Sequence, residues 1–255
     1  MASHLDGSPV ALVTGAAQGL GHAIATRLAQ DGHRTVVTDR TASAALTALS
    51  GQIGGIAIPA DVADPDQVAA LVSEASARIG AIDVLVANHA AMAMAPFLDM
   101  APSDWWHQIE VNLSGTFRLV QAVLPGMRAS GGGRIIIIAS EAGVVGMRNA
   151  TAYSASKGGL IALTKSLGRE LAPEGIVTNA IAPSYVDTPQ LQVDADDAGV
   201  SIAEIRERAA AQIPLGRIAT PEEIAAVAAF LASPGAGSLV GQVLQPNGGT
   251  TRTRA

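Results

Sequence analysis

The chain has 255 residues, a formal net charge of −6 and no cysteine. The negative charge opposes binding to nucleic acid or to an anionic membrane, and without cysteine there is neither a disulfide nor a thiolate metal site. Apolar runs such as residues 135–138 are too short to span a bilayer, so we expect a cytoplasmic protein without nucleic-acid or membrane partners.

Short β-branched and apolar runs alternate with longer Ala-rich amphipathic stretches. The runs predict seven strands, at residues 10–14, 35–38, 56–59, 84–87, 134–139, 176–181 and 241–245. The stretches between them predict helices at residues 19–31, 42–49, 65–79, 102–129 and 151–171, and one that starts at Thr220. Continuous apolar strands separated by helices indicate an α/β fold, a Rossmann-like, doubly wound, mostly parallel sheet with helices on both faces.

One connection is longer than the others. Residues 184–213 lie between the sixth strand and the helix at Thr220, and they carry many charged side chains. Connections of this length are usually functional or mobile. We expect a lid with a helical part at residues 202–211, the alternative being a solvated surface excursion.

A glycine-rich turn follows the first strand and opens the first helix. Glycine lets the backbone approach a ligand closely, and a helix N-terminus offers free N–H groups to a pyrophosphate. This context predicts a dinucleotide site at Gly15, Gln18, Gly19, Leu20 and Gly21. Residues 1–8 are expected to form a flexible tail, and residues 9–255 a single NAD(P)-binding domain.

Side chains at the ends of the next strands bear on the choice of cofactor. Asp39 can accept hydrogen bonds from both adenosine-ribose hydroxyls and would repel a 2′-phosphate, whereas Arg40 can attract that phosphate. We therefore expect NAD, with NADP as the alternative. Asp61 and Val62 are suited to contact the adenine, and Asn88 borders the same crevice.

Ser140, Tyr153 and Lys157 supply groups for proton transfer. A tyrosine with its ordinary pKa of about 10 is a poor base at neutral pH, but an ammonium one helical turn away favours the phenolate. Tyr153 can then take a proton from an alcohol, or return it to a carbonyl, while a hydride moves to or from a nicotinamide. Ser140 can donate a hydrogen bond to the substrate oxygen.

Taken in order and at these separations, the motifs resemble the short-chain dehydrogenase/reductase family, in its single-domain branch. The resemblance covers residues 9–249 and is carried by residues 14–21, Asp61, Asn88, residues 111–115, Ser140, residues 153–157, Asn179, Pro183 and Thr188. It implies an oxidoreductase acting on a secondary alcohol or a ketone, and a homo-oligomer, with a tetramer expected.

The resemblance also assigns roles to single residues. It implies that Asn112 supports a proton-relay water and that Lys157 holds the nicotinamide ribose. It places Pro183, Val186 and Thr188 beside the nicotinamide, the last two at its carboxamide.

The sequence departs from the family pattern at three places. The family's Asn-Asn-Ala-Gly is here Ala87-Asn88-His89-Ala90. Its Pro-Gly is here Pro183-Ser184, and its closing Asp-Gly-Gly is Asn247-Gly248-Gly249. His89, within the first of these, either tunes a proton at the mouth of the site or packs behind the cofactor. We favour packing.

The expected substrate pocket is mostly apolar and binds a small-molecule alcohol or ketone. Its predicted walls are Met92, Met94, Glu141, Ala142, Met147, Tyr185 and Leu191. The five histidines have no ligand spacing, so no metal is expected.

The favoured function is NAD-dependent interconversion of a secondary alcohol and a ketone. The alternatives are an NADPH-dependent 3-oxoacyl reductase and, in another class, a non-catalytic nucleotide sensor. Helices 102–129 and 151–171 are apolar over more turns than one sheet face can cover, which also favours burial against a second copy. The alternative is packing on the chain's own sheet.

Overall fold

Strands and helices alternate along the chain. The computed structural model describes residues 7–251, without the side chain of residue 197. The strands are β1 (Val10–Thr14), β2 (Arg34–Thr38), β3 (Ile56–Ala57), β4 (Val84–Ala87), β5 (Gly133–Ile138), β6 (Ile176–Ile181) and β7 (Val243–Leu244). Most of the predicted tail, residues 1–6, lies outside the described range.

Ten α-helices are found within residues 7–251. They are α1 (Gly19–Gln30), α2 (Ala44–Gln52), α3 (Pro65–Ile79), α4 (Pro102–Ile109), α5 (Gly115–Ala129), α6 (Ala142–Val145), α7 (Thr151–Leu171), α8 (Gln190–Ala198), α9 (Ile202–Ala210) and α10 (Pro221–Ala232). α10 begins where the sequence predicts a helix, with a capping box: Thr220 Oγ1 accepts from Glu223 N–H, and the Glu223 carboxylate accepts from Thr220 N–H.

The strands form one parallel sheet in the order β3-β2-β1-β4-β5-β6-β7. This confirms the predicted fold class. From β1 the chain adds β2 and then β3 on one side of the sheet, whereas from β4 it adds β5, β6 and β7 on the other side. The strand order therefore reverses between β1 and β4. In such sheets ligands bind beyond the carboxyl ends at the reversal, and the carboxyl ends of β1, β2, β4, β5 and β6 meet there.

The sheet is buried on both faces, which is why its strands read as unbroken apolar runs. Successive residues of β1 point to opposite faces. Leu12 packs in one core with Leu119 and Leu160, and Val13 in the other with Ile24. The edge strands β3 and β7 have two residues each, shorter than predicted, because an edge strand has only one partner to pair with.

Residues 102–129 do not form the single α-helix that the sequence predicts. A π-helical segment, Glu110–Ser114, separates α4 from α5. Asn112 lies in this segment, and its side-chain amide bonds the backbone of Ala91, accepting from N–H at 2.7 Å and donating to C=O at 3.0 Å. The wider π turn therefore coincides with a side chain that reaches across to the loop after β4.

The segment 184–213 contains two helices, α8 and α9, where the sequence predicts one. Its start is held by a parallel bridge between Val186 and Ala219 and by an ion pair, 2.8 Å, between Arg206 and Asp187. Its end is held by the hydrogen bond from Leu215 N–H to Gly248 C=O at 3.0 Å. Movement of this segment as a lid stays a prediction.

Residues 7–251 contain neither a membrane-spanning helix nor a cluster of metal ligands. No helix in this range has the length and apolarity needed to cross a bilayer. Nor does the range contain a group of three or more His, Asp or Glu side chains arranged to hold a metal ion.

Candidate active site

A cavity of about 1280 Å³ opens at the carboxyl ends of the central strands. It brings together most of the predicted site residues, although they follow six different strands, β1 to β6, or lie on α7 and in segment 184–213. Those lining it are Gly15, Gln18, Gly19, Leu20, Asp39, Arg40, Asp61, Val62, Asn88, Met92, Ser140, Glu141, Ala142, Met147, Tyr153, Lys157, Pro183, Tyr185, Val186, Thr188 and Leu191.

Three predicted site residues lie outside the described cavity lining. Met94 is 43% exposed on the loop after β4 and does not line the cavity, so its place in the substrate pocket stays a prediction. Gly21 and Asn112 are buried behind the lining. Their effects on the site are therefore indirect, through the residues that they contact.

The glycine turn needs glycine for geometric reasons. Gly15 has φ +62° and Gly19 has φ +57°, a region that L side chains rarely adopt. A Cβ on Gly21 would lie 2.1 Å from the Gly15 carbonyl oxygen, so α1 can pack on the turn only through a glycine. Asn88 fixes the other side, because its Nδ2 donates to the Thr14 and Gly15 carbonyls at 3.0 and 3.1 Å.

The turn has the features of an anion site. Gln18, the N-cap of α1, makes no side-chain capping bond in the described structure, so the first N–H groups of the helix remain available to a ligand. The cavity continues from the turn to Asp39 on one side and to Tyr153 on the other. This shape and these donors fit an extended dinucleotide with its pyrophosphate at the turn.

Asp39 connects the end of β2 to the glycine turn. One carboxylate oxygen accepts from Ala17 N–H at 3.1 Å, and the other from Arg40 N–H at 2.8 Å. The carboxylate is therefore held at the cavity wall by the backbone. The Arg40 side chain is exposed and lines the same end of the cavity.

Ser140 and Tyr153 meet at the other end. The Ser140 oxygen accepts from Ala142 N–H at 3.1 Å, and the Ser140 and Tyr153 side chains line the same cavity. Burial raises the pKa of Tyr153 above its ordinary value; the Ser140 hydrogen bond lowers it by less, and the charge of Asp194 raises it further. In the protein alone, Tyr153 therefore carries its proton at neutral pH.

Lys157 lies beneath the Tyr153 ring. Its ammonium is 5.5 Å from the ring centroid and donates to the Ile138 carbonyl at 2.8 Å. Burial lowers the pKa of Lys157 to about 8. In the protein alone, burial of the phenol has the largest effect on its pKa and raises it; that Lys157 favours the phenolate stays a prediction.

Asn112 joins the loop after β4 to α7. Besides its two bonds to Ala91, its Nδ2 donates to Ser156 Oγ at 2.9 Å, and Ser156 in turn donates to the Tyr153 carbonyl at 2.7 Å. This chain of bonds supports the backbone of Tyr153 from behind. The relay through a water, which the family resemblance implies, stays a prediction.

His89 is placed for packing. Its Nδ1 lies 2.8 Å from Thr14 Oγ1 and its Nε2 3.4 Å from Thr116 Oγ1. Burial, with a smaller contribution from the Lys157 charge, lowers the pKa of His89 to about 3. A neutral ring with a partner on each side supports the packing interpretation.

Among the residues at the site that were not predicted, two stand out by their packing. A Cβ on Gly143 would lie 2.5 Å from the Lys157 backbone, so this glycine lets α6 rest closely on α7. Gln108 is buried and lines the cavity. Nothing in the sequence singles out Gly143, but Gln108 precedes Asn112 by one helical turn, which is a signal that it shares the inward face.

Comparison with known proteins agrees with this geometry. Residues 15–251 match a family model described as enoyl-(acyl carrier protein) reductase. The chain is 41% identical over 246 residues to cis-4-hydroxycyclohexanecarboxylate dehydrogenase of Sinomonas cyclohexanicum, covering 95% of this chain and 96% of that one. It is 37% identical over 242 residues to a 3-oxoacyl-(acyl-carrier-protein) reductase of Escherichia coli, covering 94% and 96%.

A solved structure is similar over almost the whole chain. A Phe-to-Trp variant of actinorhodin polyketide ketoreductase, crystallised with NADPH, superposes with a TM-score of 0.92 at 38% identity, covering 98% of this chain and 99% of that one. The match therefore extends to the fold as well as to the sequence. Together with the site geometry, these similarities establish that the chain belongs to the short-chain dehydrogenase/reductase family of oxidoreductases.

Proposed function

We propose that this protein is an NAD-dependent dehydrogenase that interconverts a secondary alcohol and a ketone, with Tyr153 as the acid and base. The observation that carries the proposal is one cavity with the glycine turn at one end and Ser140, Tyr153 and Lys157 at the other. The relatives named above as a dehydrogenase and a 3-oxoacyl reductase both act, by name, on a carbinol or its carbonyl.

In this proposal the residues of the chain have separate tasks. The glycine turn holds the pyrophosphate and Asp39 the adenosine ribose, while Lys157, Val186 and Thr188 hold the nicotinamide half. When bound, the dinucleotide supplies or accepts the hydride. Tyr153 gives its proton to the carbonyl oxygen in reduction and removes it from the hydroxyl in oxidation.

Ser140 completes the proposed mechanism. Its oxygen accepts from Ala142 N–H, and in this proposal its hydrogen turns from Tyr153 to the substrate oxygen, where negative charge develops during reduction. Asn112, through Ser156, holds the backbone of Tyr153 in place. We assign Asn112 this supporting task, with the relay water as an additional prediction.

A panel assay tests the proposal. Secondary alcohols, ketones and 3-oxoacyl thioesters are assayed by the absorbance of reduced nicotinamide, each with NAD(H) and NADP(H). We expect turnover of alcohols and ketones. Turnover confined to thioesters with NADPH would favour the 3-oxoacyl reductase, and binding without any turnover would favour a nucleotide sensor.

The preference for NAD depends on Asp39. Its carboxylate is fixed by two backbone N–H groups, and it would face the 2′-phosphate of NADP, where partly screened like charges repel by a few kcal/mol. The similar ketoreductase was crystallised with NADPH, and Arg40 can approach the phosphate, so NADP remains the alternative. We expect kcat/KM to favour NAD by at least about tenfold.

Asp39→Ala is expected to narrow or invert the preference for NAD, because the repulsion of the phosphate disappears. Steady-state kcat/KM with both cofactors measures the ratio. The matched control is Arg40→Ala, which should lower kcat/KM for NADP and leave that for NAD within about twofold. A wild-type preference for NADP, lost in Arg40→Ala, would contradict the role given to Asp39.

The two reaction directions are expected to respond oppositely to pH. Burial raises the pKa of Tyr153, so the phenolate needed for alcohol oxidation forms only as pH rises, and kcat for oxidation should increase into the alkaline range. The phenol needed for ketone reduction is present at neutral and lower pH, so kcat for reduction should fall at alkaline pH. Single-turnover rates of oxidation from about pH 6 to 10 test this, because the phenolate fraction rises throughout that range; oxidation chemistry that is independent of pH would exclude Tyr153 as the titrating group.

We also propose that the protein forms a homo-oligomer, as the family resemblance implies. Part of the apolar surface on the two long helical regions is covered within the chain, since Leu113 packs against Gly159. Phe117 on α5 is nevertheless 48% exposed, and Ala155 and Ala162 on α7 are exposed as well. Light scattering at micromolar concentration tests this; a monomeric mass would contradict it.

A further inference from the structure

An exposed arginine stands where the cavity opens to solvent. Arg148 lines the cavity that also contains Ser140 and Tyr153, yet it is exposed. Its guanidinium makes no hydrogen bond, ion pair or ring contact with the rest of the described part of the chain. Several surface arginines are paired by contrast, such as Arg78 with Glu74 at 2.9 Å. The guanidinium of Arg148 is therefore available to a group that enters the cavity.

The backbone around Arg148 forms a defined turn. Ala150 N–H donates to the Met147 carbonyl at 3.3 Å. Asn149 has φ +62°, whereas the φ of Arg148 is not positive. A hydrogen bond across four residues with positive φ at the third is the pattern of a type II turn, and asparagine can replace glycine at that position. Arg148 therefore occupies the second position of a turn with a fixed conformation.

Neighbouring segments hold this turn on both sides. Ser154 Oγ, in the first turn of α7, accepts from Met147 N–H at 3.1 Å. The Asn149 carbonyl accepts from Ala95 N–H at 2.8 Å. The turn is thus tied to α7 and to the loop after β4, and both of these segments contribute side chains to the cavity. The backbone of Arg148 is held between two walls of the cavity, while its long side chain can adjust to a ligand.

The other charges of the cavity bear on the kind of ligand. Asp104, Glu141 and Asp194 also line it, and none of them pairs with Arg148 in the described structure. These carboxylates repel a ligand with two negative charges more strongly than a ligand with one. A guanidinium offers a planar fork of donors that binds a carboxylate through two parallel hydrogen bonds. A single carboxylate is therefore the anion best suited to this position, and an ammonium group would meet like charge at Arg148.

We propose that Arg148 binds a carboxylate of the substrate, on a carbon apart from the reacting carbinol. The substrate is then a hydroxy acid and the product the corresponding keto acid. This inference rests on the proposed alcohol–ketone activity, in which the carbinol loses its hydroxyl proton to Tyr153 and its carbon-bound hydride to the dinucleotide. The carboxylate is unchanged by the reaction. Arg148 acts as a specificity-determining residue and takes no part in proton or hydride transfer.

Matched ketones test the inference. The probes are linear methyl ketones that carry a carboxylate at increasing distance from the carbonyl, each paired with its carboxamide, which has nearly the same shape and no charge. At the distance that reaches Arg148, wild-type kcat/KM should favour the carboxylate over the carboxamide by at least about tenfold, as expected for hydrogen bonds between charged groups. A phosphonate of the same length, assayed where it carries two charges, should be poorer than the carboxylate, and an amine should be the poorest.

Variants separate recognition of the carboxylate from structure. Arg148→Met removes the charge and keeps a long apolar side chain. It should abolish the preference by raising KM for the carboxylate with kcat nearly unchanged, because the contact is the same in the ground state and the transition state. For the carboxamide, kcat/KM should stay within about twofold of wild type. A purely structural Arg148 would instead lower kcat/KM equally for both ketones of a pair.

Two further variants complete the comparison. Arg148→Lys keeps the charge without the planar fork, and it should keep part of the preference. Arg169→Met is the matched control, because Arg169 is an exposed arginine on α7 outside the described cavity lining. It removes the same charge from the protein and should leave the preference intact.

Several outcomes would overturn the inference. These are a wild-type ratio within about twofold at every distance, a preference that persists in Arg148→Met, or an equal loss for both ketones of a pair. If Arg148→Met does not fold, the salt dependence of the wild-type ratio decides: an exposed ion pair is screened, so the preference should weaken as salt is added, and a preference indifferent to salt would contradict the role of Arg148. Failure to turn over any ketone or alcohol would refute the underlying activity, and the inference with it, a result distinct from turnover without discrimination.

Discussion

Tyr153→Phe is expected to lower kcat by about 10²–10⁴-fold or more while leaving the affinity for the reduced dinucleotide nearly unchanged. The substitution removes one oxygen and keeps the ring that lies over the Lys157 ammonium. Only the group that transfers the proton is lost. The measurement is steady-state turnover combined with a fluorescence titration of the reduced cofactor.

Two comparisons make this test specific. Ser140→Ala should also lower kcat, by removing a donor to the substrate oxygen that lines the same cavity as Tyr153. Tyr185→Phe is the matched control, a tyrosine of the same cavity that is given no part in proton transfer, and it should keep most of the turnover. Near-normal kcat in Tyr153→Phe would show that another group transfers the proton.

The sheet was predictable because its signal is local. Strands buried on both faces must be apolar throughout, and β1, β4 and β6 have the predicted bounds. Helix α8 was not predicted, because its sequence is rich in aspartate. Its N-cap residue, Pro189, makes no side-chain capping bond. Its position depends on contacts with the rest of the segment, which no local pattern records.

The residues that surround the cavity were predictable for a different reason. Parallel strands bring their carboxyl ends to one edge, so residues that follow different strands, such as Asp39, Asn88 and Ser140, converge. The structure adds how they are held. The direction of the Gln108 amide and the contact of Gly143 with α7 depend on packing between segments distant in sequence.

The electrostatics of Tyr153 could not be read from spacing alone. One turn of helix places Lys157 near the phenol, but spacing does not reveal that its ammonium is also bonded to the Ile138 carbonyl. Nor does it reveal how strongly burial raises the pKa of Tyr153. If Tyr153 is the base, the positive charge of the oxidised nicotinamide is the further contribution that favours the phenolate.

Gly21→Ala is expected to weaken dinucleotide binding by at least about a hundredfold, or about 2.7 kcal/mol, although Gly21 does not itself line the described cavity. The added Cβ would lie 2.1 Å from the Gly15 carbonyl oxygen and 2.6 Å from Asn88 Nδ2. Neither atom can retreat easily, because Asn88 Nδ2 donates to that same carbonyl at 3.1 Å. The turn must therefore shift, and the N–H groups at the start of α1 move with it.

The control for this prediction is Gly51→Ala on α2. A Cβ there meets no described atom within 4 Å, so the change should be neutral or stabilise the fold by up to about 1 kcal/mol. Gly21→Ala can overpack the fold and can weaken cofactor binding, and thermal unfolding with and without cofactor distinguishes these two effects. Overpacking lowers Tm in both conditions. Loss of binding removes the rise in Tm that the cofactor produces in the wild type. A dissociation constant within about twofold of wild type would mean that the turn tolerates a methyl group, and that its close packing against α1 does not position the cofactor site.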